Sequence, residues 1–219
     1  MDSFEAVVAA ILQRRGYWTQ TNVKVELTKA EKRTIGRHSS PRWELDVVAY
    51  RGASNELLVV ECKSFLDSIG VQCATFEGRN PKDTNRYKLF FDATLRRVVL
   101  GRLQKQFANA GFCGSRPTVV LGLAAGKVKG EEAWLERYFS KKSWRFWGPS
   151  QLRAELEALR DSGYENSVAT VVAKLLLRKG RGVASNNAED AGGRLKPHAP
   201  PRQDGRAQQH SVSAVHHAR

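Results

Sequence analysis

The first segment of the chain places its apolar residues three and four positions apart. Within residues 3–15 these are Phe4, Val7, Val8, Ile11 and Leu12. This spacing predicts an amphipathic helix, because residues three and four apart share one helix face. Ser3 is the predicted N-cap, and Gly16 is the predicted helix stop.

The next three segments have the patterns of β-strands. Residues 20–29 alternate apolar and polar positions, which is typical of a half-buried strand. Residues 42–50 and 56–64 are more continuously apolar, and a short Gly-Ala-Ser-Asn segment separates them. Two such strands around a short turn predict a β-hairpin.

The rest of the chain predicts further helices and one more clear strand. The predicted elements are a loop or broken helix over 65–84, a long helix over 85–110, a buried strand over 117–126, a helix over 131–144, a short extended piece from residue 145, and helices over 150–162 and 165–179. This order predicts an α/β or α+β core with a mixed sheet of about four strands and flanking helices, and the α/β class fits best.

The predicted elements divide the chain into three parts. Residues 1–148 form the predicted core, and residues 149–182 form a helical C-terminal extension, a helix pair packed on that core. Residues 183–219 are rich in Asn, Gly, Pro, Gln and His and contain few apolar residues. Such a composition buries too little apolar surface to offset the entropy of ordering, so this tail is predicted to be disordered.

The chain is strongly basic, with 36 Lys and Arg against 22 Asp and Glu, a net charge of +14 and a pI near 10.0. The tail from residue 185 holds five of these cations and three of the acids, so +12 remains on residues 1–184. A basic folded part favours a polyanionic partner, of which nucleic acid is the commonest.

The sequence also indicates the cellular compartment in which the protein is expected. No apolar run approaches the roughly 18–20 residues that span a bilayer, so no membrane association is expected, and the first residues lack the basic start of a signal peptide. Three cysteines cannot all pair, and none has a zinc-ligand spacing. A reducing, cytoplasmic location is therefore expected.

Three ionisable residues stand in the two hairpin strands. Asp46 lies in the first strand, Glu61 lies fifteen residues later in the second, and Lys63 follows two positions on. Because strand side chains alternate between faces, Glu61 and Lys63 share one face and Cys62 faces the other. If the hairpin pairs in this register, Asp46 can lie beside Glu61.

Two neighbouring carboxylates repel each other unless a positive charge lies between them. Mg²⁺ supplies that charge and prefers one or two carboxylates together with water and phosphate oxygens. The backbone carbonyl of Cys62 could provide a further ligand, and Lys63 could stabilise charge on a scissile phosphate. These residues therefore predict metal-dependent phosphodiester hydrolysis.

At these positions the sequence resembles the PD-(D/E)XK nuclease superfamily, which includes many restriction endonucleases and the archaeal Holliday-junction resolvases. The Asp and the Glu-x-Lys of that family stand here as Asp46 and Glu61-Cys62-Lys63. The resemblance covers about residues 3–126. Leu45 stands where the family name has proline, and no QxxxY motif of the exonuclease branch follows the lysine.

This resemblance implies a restriction-endonuclease-like core and a DNA endonuclease that uses Mg²⁺, with Mn²⁺ as a substitute. It also implies that Glu5, on the first helix, supports the metal site. An acid in the first turn of a helix is equally explained by the helix dipole. Many enzymes of this kind act as dimers, so a homodimer or a partner protein is expected.

Two basic groups flank the proposed site and are candidates for phosphate contacts. The loop after the first strand carries Lys29, Lys32, Arg33, Arg37, His38 and Arg42. The predicted long helix carries Arg86, Lys88, Arg96, Arg97, Arg102 and Lys105. Of these, Lys32, Arg33, Arg37, Arg42, Arg86 and Lys88 are the predicted DNA-binding residues. Solvated surface charge explains such clusters equally well.

The sequence is compatible with three functions. The first is an endonuclease directed by DNA structure or by a partner protein, since no large sequence-recognition domain is visible. The second is a catalytically inactive nucleic-acid-binding module on the same fold, which would be expected to have lost one of the three active-site residues. The third, a hydrolase with an acidic patch and another substrate, fits the basic charge poorly.

Overall fold

A computed structural model describes residues 2–37, 42–161, 163 and 167–177. The predicted disordered tail over 183–219 and the basic-loop residue His38 lie outside these described residues. Within them the chain forms an α/β fold with one mixed five-stranded sheet and helices on both faces. This confirms the fold class that the sequence predicts.

Seven strands and eight helices make up the described part of the chain. The strands are β1 (Trp18–Val25), β2 (Trp43–Arg51), β3 (Glu56–Lys63), β4 (Val71–Gln72), β5 (Thr118–Ala125), β6 (Val128–Lys129) and β7 (Arg145–Trp147). The helices are α1 (Ser3–Arg14), α2 (Lys29–Thr34), α3 (Cys73–Phe76), α4 (Lys88–Phe91), α5 (Ala93–Asn109), α6 (Glu132–Lys141), α7 (Pro149–Arg160) and α8 (Val168–Leu177). Two 3₁₀ turns cover Gly52–Ser54 and Pro81–Tyr87.

The main sheet has the strand order β1-β2-β3-β5-β7. The first three strands form an antiparallel meander, so the predicted hairpin of β2 and β3 is confirmed. β5 and β7 add to it in parallel, because each is reached by a crossover connection that contains a helix. The short extended piece predicted from residue 145 is the edge strand β7.

Each face of the sheet buries a separate apolar core. On one face α5 and α6 contribute residues such as Leu103 and Phe139. On the other, α1 packs beside α7 and α8, and Leu12 and Leu152 are buried among them. The predicted C-terminal helix pair therefore packs on the same face of the sheet as the first helix.

The N-cap of the first helix lies one residue earlier than the sequence analysis predicts. Asp2, not Ser3, is the N-cap, and its carboxylate accepts the backbone N–H of Phe4 at 2.7 Å. An aspartate in this position satisfies an unpaired N–H of the first turn and also suits the helix dipole. The predicted stop is confirmed, since Gly16 follows the helix at φ +80°.

The basic loop after the first strand contains a helix that the sequence analysis missed. α2 begins after Thr28, whose hydroxyl accepts the Glu31 N–H while the Glu31 carboxylate accepts the Thr28 N–H. This reciprocal pair is a capping box. Lys32 and Arg33 therefore lie on a short helix, not in a loop.

The predicted long helix over 85–110 is wrong in its first turns. The structure divides it at Asp92, which is extended and whose carboxylate accepts the Leu95 N–H to cap α5. The 3₁₀ turn and α4 precede it, so Arg86 and Lys88 belong to those elements. Residues 65–84, predicted as loop or broken helix, also contain β4, which pairs in parallel with β6.

Among the described residues, no helix is both long enough and apolar enough to cross a membrane.

Candidate active site

The strands β2 and β3 separate at the position of the predicted site. Their ladder ends with the pair Val47 and Val60, and the next position on each strand is Asp46 and Glu61. Beyond this point β2 pairs with β1, while β3 from Glu61 to Lys63 pairs with β5. We call this opening the strand fork. It places the two acidic residues at the edge of a gap in the sheet.

β2 is also irregular at Asp46 on the side that pairs with β1. The pairing with β1 passes from Thr21–Val47 to Val23–Leu45, and between them Asn22 has a φ of +52°. Asparagine tolerates this left-handed conformation better than most residues do. The side chains of β2 also do not alternate strictly between the two faces here. Leu45 and Val48 are three positions apart and would face opposite sides on a regular strand, yet both contact the core on the α5 side. Asp46 therefore occupies a local break in the sheet.

The Asp46 carboxylate is held by the backbone of the neighbouring strand. Its Oδ2 accepts the backbone N–H of Cys62 at 2.6 Å. This bond takes the place of a ladder hydrogen bond at the fork, and it orients the carboxylate from β2 toward β3. The sequence prediction that Asp46 lies beside Glu61 assumed a regular ladder, whereas this bond is what joins the two strands at that point.

Glu61 and Lys63 form an ion pair on the same side of β3. Lys63 Nζ donates to Glu61 Oε1 at 2.7 Å, and the two side chains are only 20% and 19% exposed. Burial raises the pKa of Glu61 and the Asp46 charge adds to this, while Lys63 opposes it. Burial alone would lower the pKa of Lys63, but the carboxylates of Glu61 and Asp46 raise it overall. The pair therefore carries an ammonium that stays protonated.

Glu5 reaches the same region from the first helix. Burial raises the pKa of its carboxyl, and the charges of Asp46 and then Asp2 raise it further. Its Oε2 is buried and has no hydrogen-bond partner among the described residues. A buried carboxylate oxygen without a donor is costly unless a cation or a water molecule contacts it. Glu5 thus lies within electrostatic reach of Asp46, and its supporting role at the metal site stays a prediction.

The side chain of Cys62 is not a metal ligand in this environment. It packs against the core on the α1 side, as the alternation of β3 predicts. Burial raises the pKa of its thiol strongly, and the charges of Asp46 and Glu5 raise it further. A thiol must lose its proton to bind a metal, so only the backbone of this residue is suited to ligation.

The donor set fits Mg²⁺ through oxygen atoms. Within the described residues, no three His, Cys, Asp or Glu side chains converge closely enough to hold an ion by themselves. Mg²⁺ does not need three such side chains, because it is commonly held by one or two carboxylates, with water and substrate oxygens completing its shell. Asp46 and Glu61 with the Cys62 carbonyl meet that requirement, and the unpartnered Glu5 oxygen indicates a place for a further positive or donating group.

Comparisons with known proteins add little to this geometry. No family model matches the chain, and no curated protein matches it. Among solved structures, it is similar to the crystal structure of the protein of unknown function AF1548, with a TM-score of 0.39 and 17% identity over 74% of this chain and 71% of the other. So distant a similarity carries no weight for function.

One residue near the site was not predicted from the sequence. Tyr87 is buried at the end of the 3₁₀ turn. Burial raises the pKa of its hydroxyl, and the charges of Asp83 and Glu61 contribute. Tyr87 therefore lies within electrostatic reach of Glu61. Its aromatic side chain fits the apolar face of the predicted long helix, so no separate pattern points to it.

The predicted DNA-binding residues lie on several elements. Arg37 places its guanidinium 5.0 Å from the centre of the Trp43 ring, and Arg42 lies 3.4 Å from a Glu26 carboxylate oxygen. Arg86 is exposed and lies 3.9 Å from Asp83. Lys32, Arg33 and Lys88 are exposed or half-buried.

Two other basic residues have structural partners. Arg96 donates to the backbone carbonyls of Leu89 and Phe90, and Arg102 donates to that of Glu26. These two arginines therefore hold elements together.

Proposed function

We propose that this protein is a metal-dependent endonuclease that hydrolyses phosphodiester bonds in DNA. The observation that carries the proposal is the strand fork, which brings Asp46, Glu61 and Lys63 to one opening in the sheet. Burial and the neighbouring Asp46 charge raise the pKa of both Glu61 and Glu5, and acidic groups perturbed in this way are typical of functional centres, because they cost stability without a compensating ligand.

Asp46, Glu61 and the Cys62 carbonyl would hold the Mg²⁺ ion, for which Mn²⁺ could substitute. When bound, the ion supplies a Lewis acid that lowers the pKa of water and stabilises charge on phosphate. The hydrogen bond from the Cys62 N–H fixes one oxygen of Asp46 and leaves the other free of that bond. Glu5 would not be one of these ligands, and its negative charge would support the bound ion from behind them.

Lys63 acts as a cation in this proposal and not as a base. Its raised pKa keeps the ammonium protonated at neutral pH as long as Glu61 is ionised. A protonated lysine can donate hydrogen bonds to phosphate oxygens and stabilise the negative charge that develops there. In the structure the same ammonium neutralises Glu61, so the ion pair keeps Lys63 at the site.

The charge of the chain supports DNA as the substrate. An excess of 36 Lys and Arg over 22 Asp and Glu favours a polyanion. The proposed contacts are Lys32, Arg33, Arg37, Arg42, Arg86 and Lys88. We further propose a cytoplasmic location, since all three cysteines are free. A homodimer or a partner protein would allow two strands to be cut.

The test compares cleavage of supercoiled plasmid and of a four-way junction in Mg²⁺ and in EDTA. We expect the wild type to cut in Mg²⁺ only, and we expect Asp46→Ala and Glu61→Ala to be inactive but folded. Glu44→Ala is the matched control, because Glu44 is an exposed acid two residues from Asp46 on β2. Full activity in Glu61→Ala would refute the proposed site. Binding without cutting, in every protein and metal tested, would favour the inactive binding module instead.

A further inference from the structure

A six-residue loop next to the proposed site exposes two large apolar side chains. The loop covers residues 65–70 and begins two residues after Lys63. Leu66 is 63% exposed and Ile69 is 58% exposed. A single exposed apolar residue is ordinary on a protein surface. Two of them on one short loop next to the proposed site form a small exposed apolar surface. We call residues 65–70 the apolar loop.

Backbone contacts fix both ends of the apolar loop. The Gly126 N–H donates to the Lys63 carbonyl at 2.9 Å, and the Val71 N–H donates to the Lys127 carbonyl at 2.8 Å. At Gly70, φ is +92° and an added Cβ would lie 2.8 Å from the Lys127 oxygen, so only glycine fits this approach. The loop is thereby clamped against the end of β5.

The conformation within the loop is also constrained. Phe65 has a φ of +44°, which is rare for a bulky residue and is usually held in place by its surroundings. The Ser68 N–H donates to the Phe65 carbonyl at 3.1 Å and closes a turn. Leu66 and Ile69 are therefore presented by a constrained turn, and their exposure does not come from a long unstructured segment.

Positive side chains flank the loop. The guanidinium of Arg86 lies 5.9 Å from the centre of the Phe65 ring, and its side chain is largely exposed. The side chain of Lys127, also exposed, begins beside Gly70. Asp67 is the acid of the loop itself, and it is exposed between the two apolar residues. Apolar side chains bordered by cations suit a ligand whose bases can be unstacked and whose backbone is anionic.

We propose that Leu66 and Ile69 insert at an unstacked base step and thereby select DNA with a mismatch, branch or strand junction. The inference rests on the proposed nuclease function and names the substrate class of the same site. Leu66 stands three positions after Lys63, which limits their Cα separation to about 11 Å. Successive phosphates of one strand are spaced by about 3.4 Å along the helix axis. The insertion would then take place close to the bond that is cut.

The experiment compares an intact duplex with the same duplex carrying a mismatch, and with a forked duplex of the same sequence. Each carries 2-aminopurine, which brightens when it loses its stacking, beside the altered step. Binding is followed with proteins that also carry Glu61→Ala, and cleavage is followed in the active background. The test variant is Leu66→Ser with Ile69→Ser. The matched control is Leu175→Ser with Leu176→Ser on α8, where the two leucines are 76% and 77% exposed.

We expect the wild type and the α8 control to brighten 2-aminopurine and to cut mismatched or forked DNA at least fivefold faster than intact duplex. The loop variant should lose the fluorescence rise and most of this preference while keeping the circular dichroism spectrum of the wild type. Wild-type preference and fluorescence in the loop variant would overturn the inference. Loss of self-association alone, measured by light scattering, would also overturn it and identify the loop as a protein contact.

The two proposals fail in different ways. A fluorescence rise that depends on the loop, without cleavage by any protein in any metal, would reject the nuclease and retain the insertion. Cleavage that depends on Glu61 but is indifferent to the loop and to base stacking would reject the insertion and retain the nuclease. Absence of all DNA binding by the wild type would reject both.

Discussion

Lys63 is the residue whose positive charge does most to balance the carboxylates of the proposed site. Near it lie Glu61, to which it donates a hydrogen bond, and the charge of Asp46, which in turn acts on Glu5. It is thus one ammonium among three carboxylates. The arrangement leaves a negative excess, which is the condition under which a divalent cation binds.

We expect Lys63→Met to lower single-turnover cleavage by at least about 100-fold, the loss typical of removing one charge-stabilising donor. Mg²⁺ binding, measured by titration calorimetry, should be retained, because lysine supplies none of the oxygen ligands. Lys129→Met on β6 removes an exposed lysine and serves as the control. Undiminished cleavage by Lys63→Met would mean that its assigned role is wrong.

Glu5 allows a test of the site through stability. Burial, then Asp46, then Asp2 raise its pKa, so the folded protein binds its proton more tightly than the unfolded chain does. The stability it contributes is full below the ordinary pKa of 4.5 and is lost as pH rises through the raised value. Glu5→Gln removes this loss. Its melting temperature in EDTA should exceed that of the wild type at pH 7 by ~2 °C, with screening by solvent keeping the gain small.

The same comparison at pH 4.5 should give a smaller difference, because the wild-type carboxyl is then largely protonated. Glu44→Gln, at an exposed position on β2, controls for the loss of one negative charge. If the melting temperature of Glu5→Gln exceeded that of the wild type by more at low pH than at pH 7, the pH dependence would have the wrong sign. Such a result would contradict the proposed repulsion between Glu5 and Asp46.

How far single residues can be predicted depends on the regularity of the backbone around them. Glu61 and Lys63 lie on a regular strand, so alternation placed them on one face correctly. Asp46 lies where alternation fails, and its bond to the Cys62 N–H depends on a gap between strands that no periodicity encodes. Tyr87 was missed because an aromatic residue fits a helical apolar face as well as it fits a 3₁₀ turn beside a carboxylate.

At the scale of elements, one helix is capped by a residue of another. Glu132, in the first turn of α6, accepts the Ser150 N–H at 3.0 Å and the Ser150 hydroxyl at 2.9 Å. The N-cap of α7 is Gly148, which has no side chain to do this. A Cβ on Gly148 would overlap the Glu132 carboxylate, so the glycine makes room for the cap.

We expect Glu132→Ala to destabilise the protein by about 1 kcal/mol, the usual cost of losing an N-cap acceptor. Urea denaturation followed by tryptophan fluorescence measures the difference. Glu136→Ala, an exposed position one turn later on the same helix, should change stability much less. Equal effects of the two substitutions would show that the cap contributes nothing specific.

Several element boundaries had readable signals in the sequence, and others had none. Thr28-Lys29-Ala30-Glu31 has the spacing of a capping box and could have predicted α2. Asp92 is a common N-cap residue and could have divided the long helix. The two-residue strands β4 and β6 are different. They exist because Gly70 lets the loop approach residue 127, and a contact between distant segments leaves no local pattern.

At the scale of the whole molecule, the charge determines how strongly salt should affect DNA binding. If about six phosphates are neutralised, affinity should fall about 1,000-fold between 50 and 200 mM salt. Fluorescence anisotropy with the Glu61→Ala variant measures this without cleavage. A neutralising variant of Arg33 and Arg37 should have a shallower dependence, and an affinity indifferent to salt would contradict a binding surface made of these cations.

The strand fork also bears on the order of events during folding. Asp46 and Glu61 are fifteen residues apart on one antiparallel hairpin, so a short loop closure brings them together. The parallel partner β5 and the edge strand β7 must instead return across long connections, which takes longer in a folding chain. The two acids are therefore expected to meet before β5 joins β3. A site encoded in so short a stretch can form early, while the surface proposed to bind DNA is still being assembled.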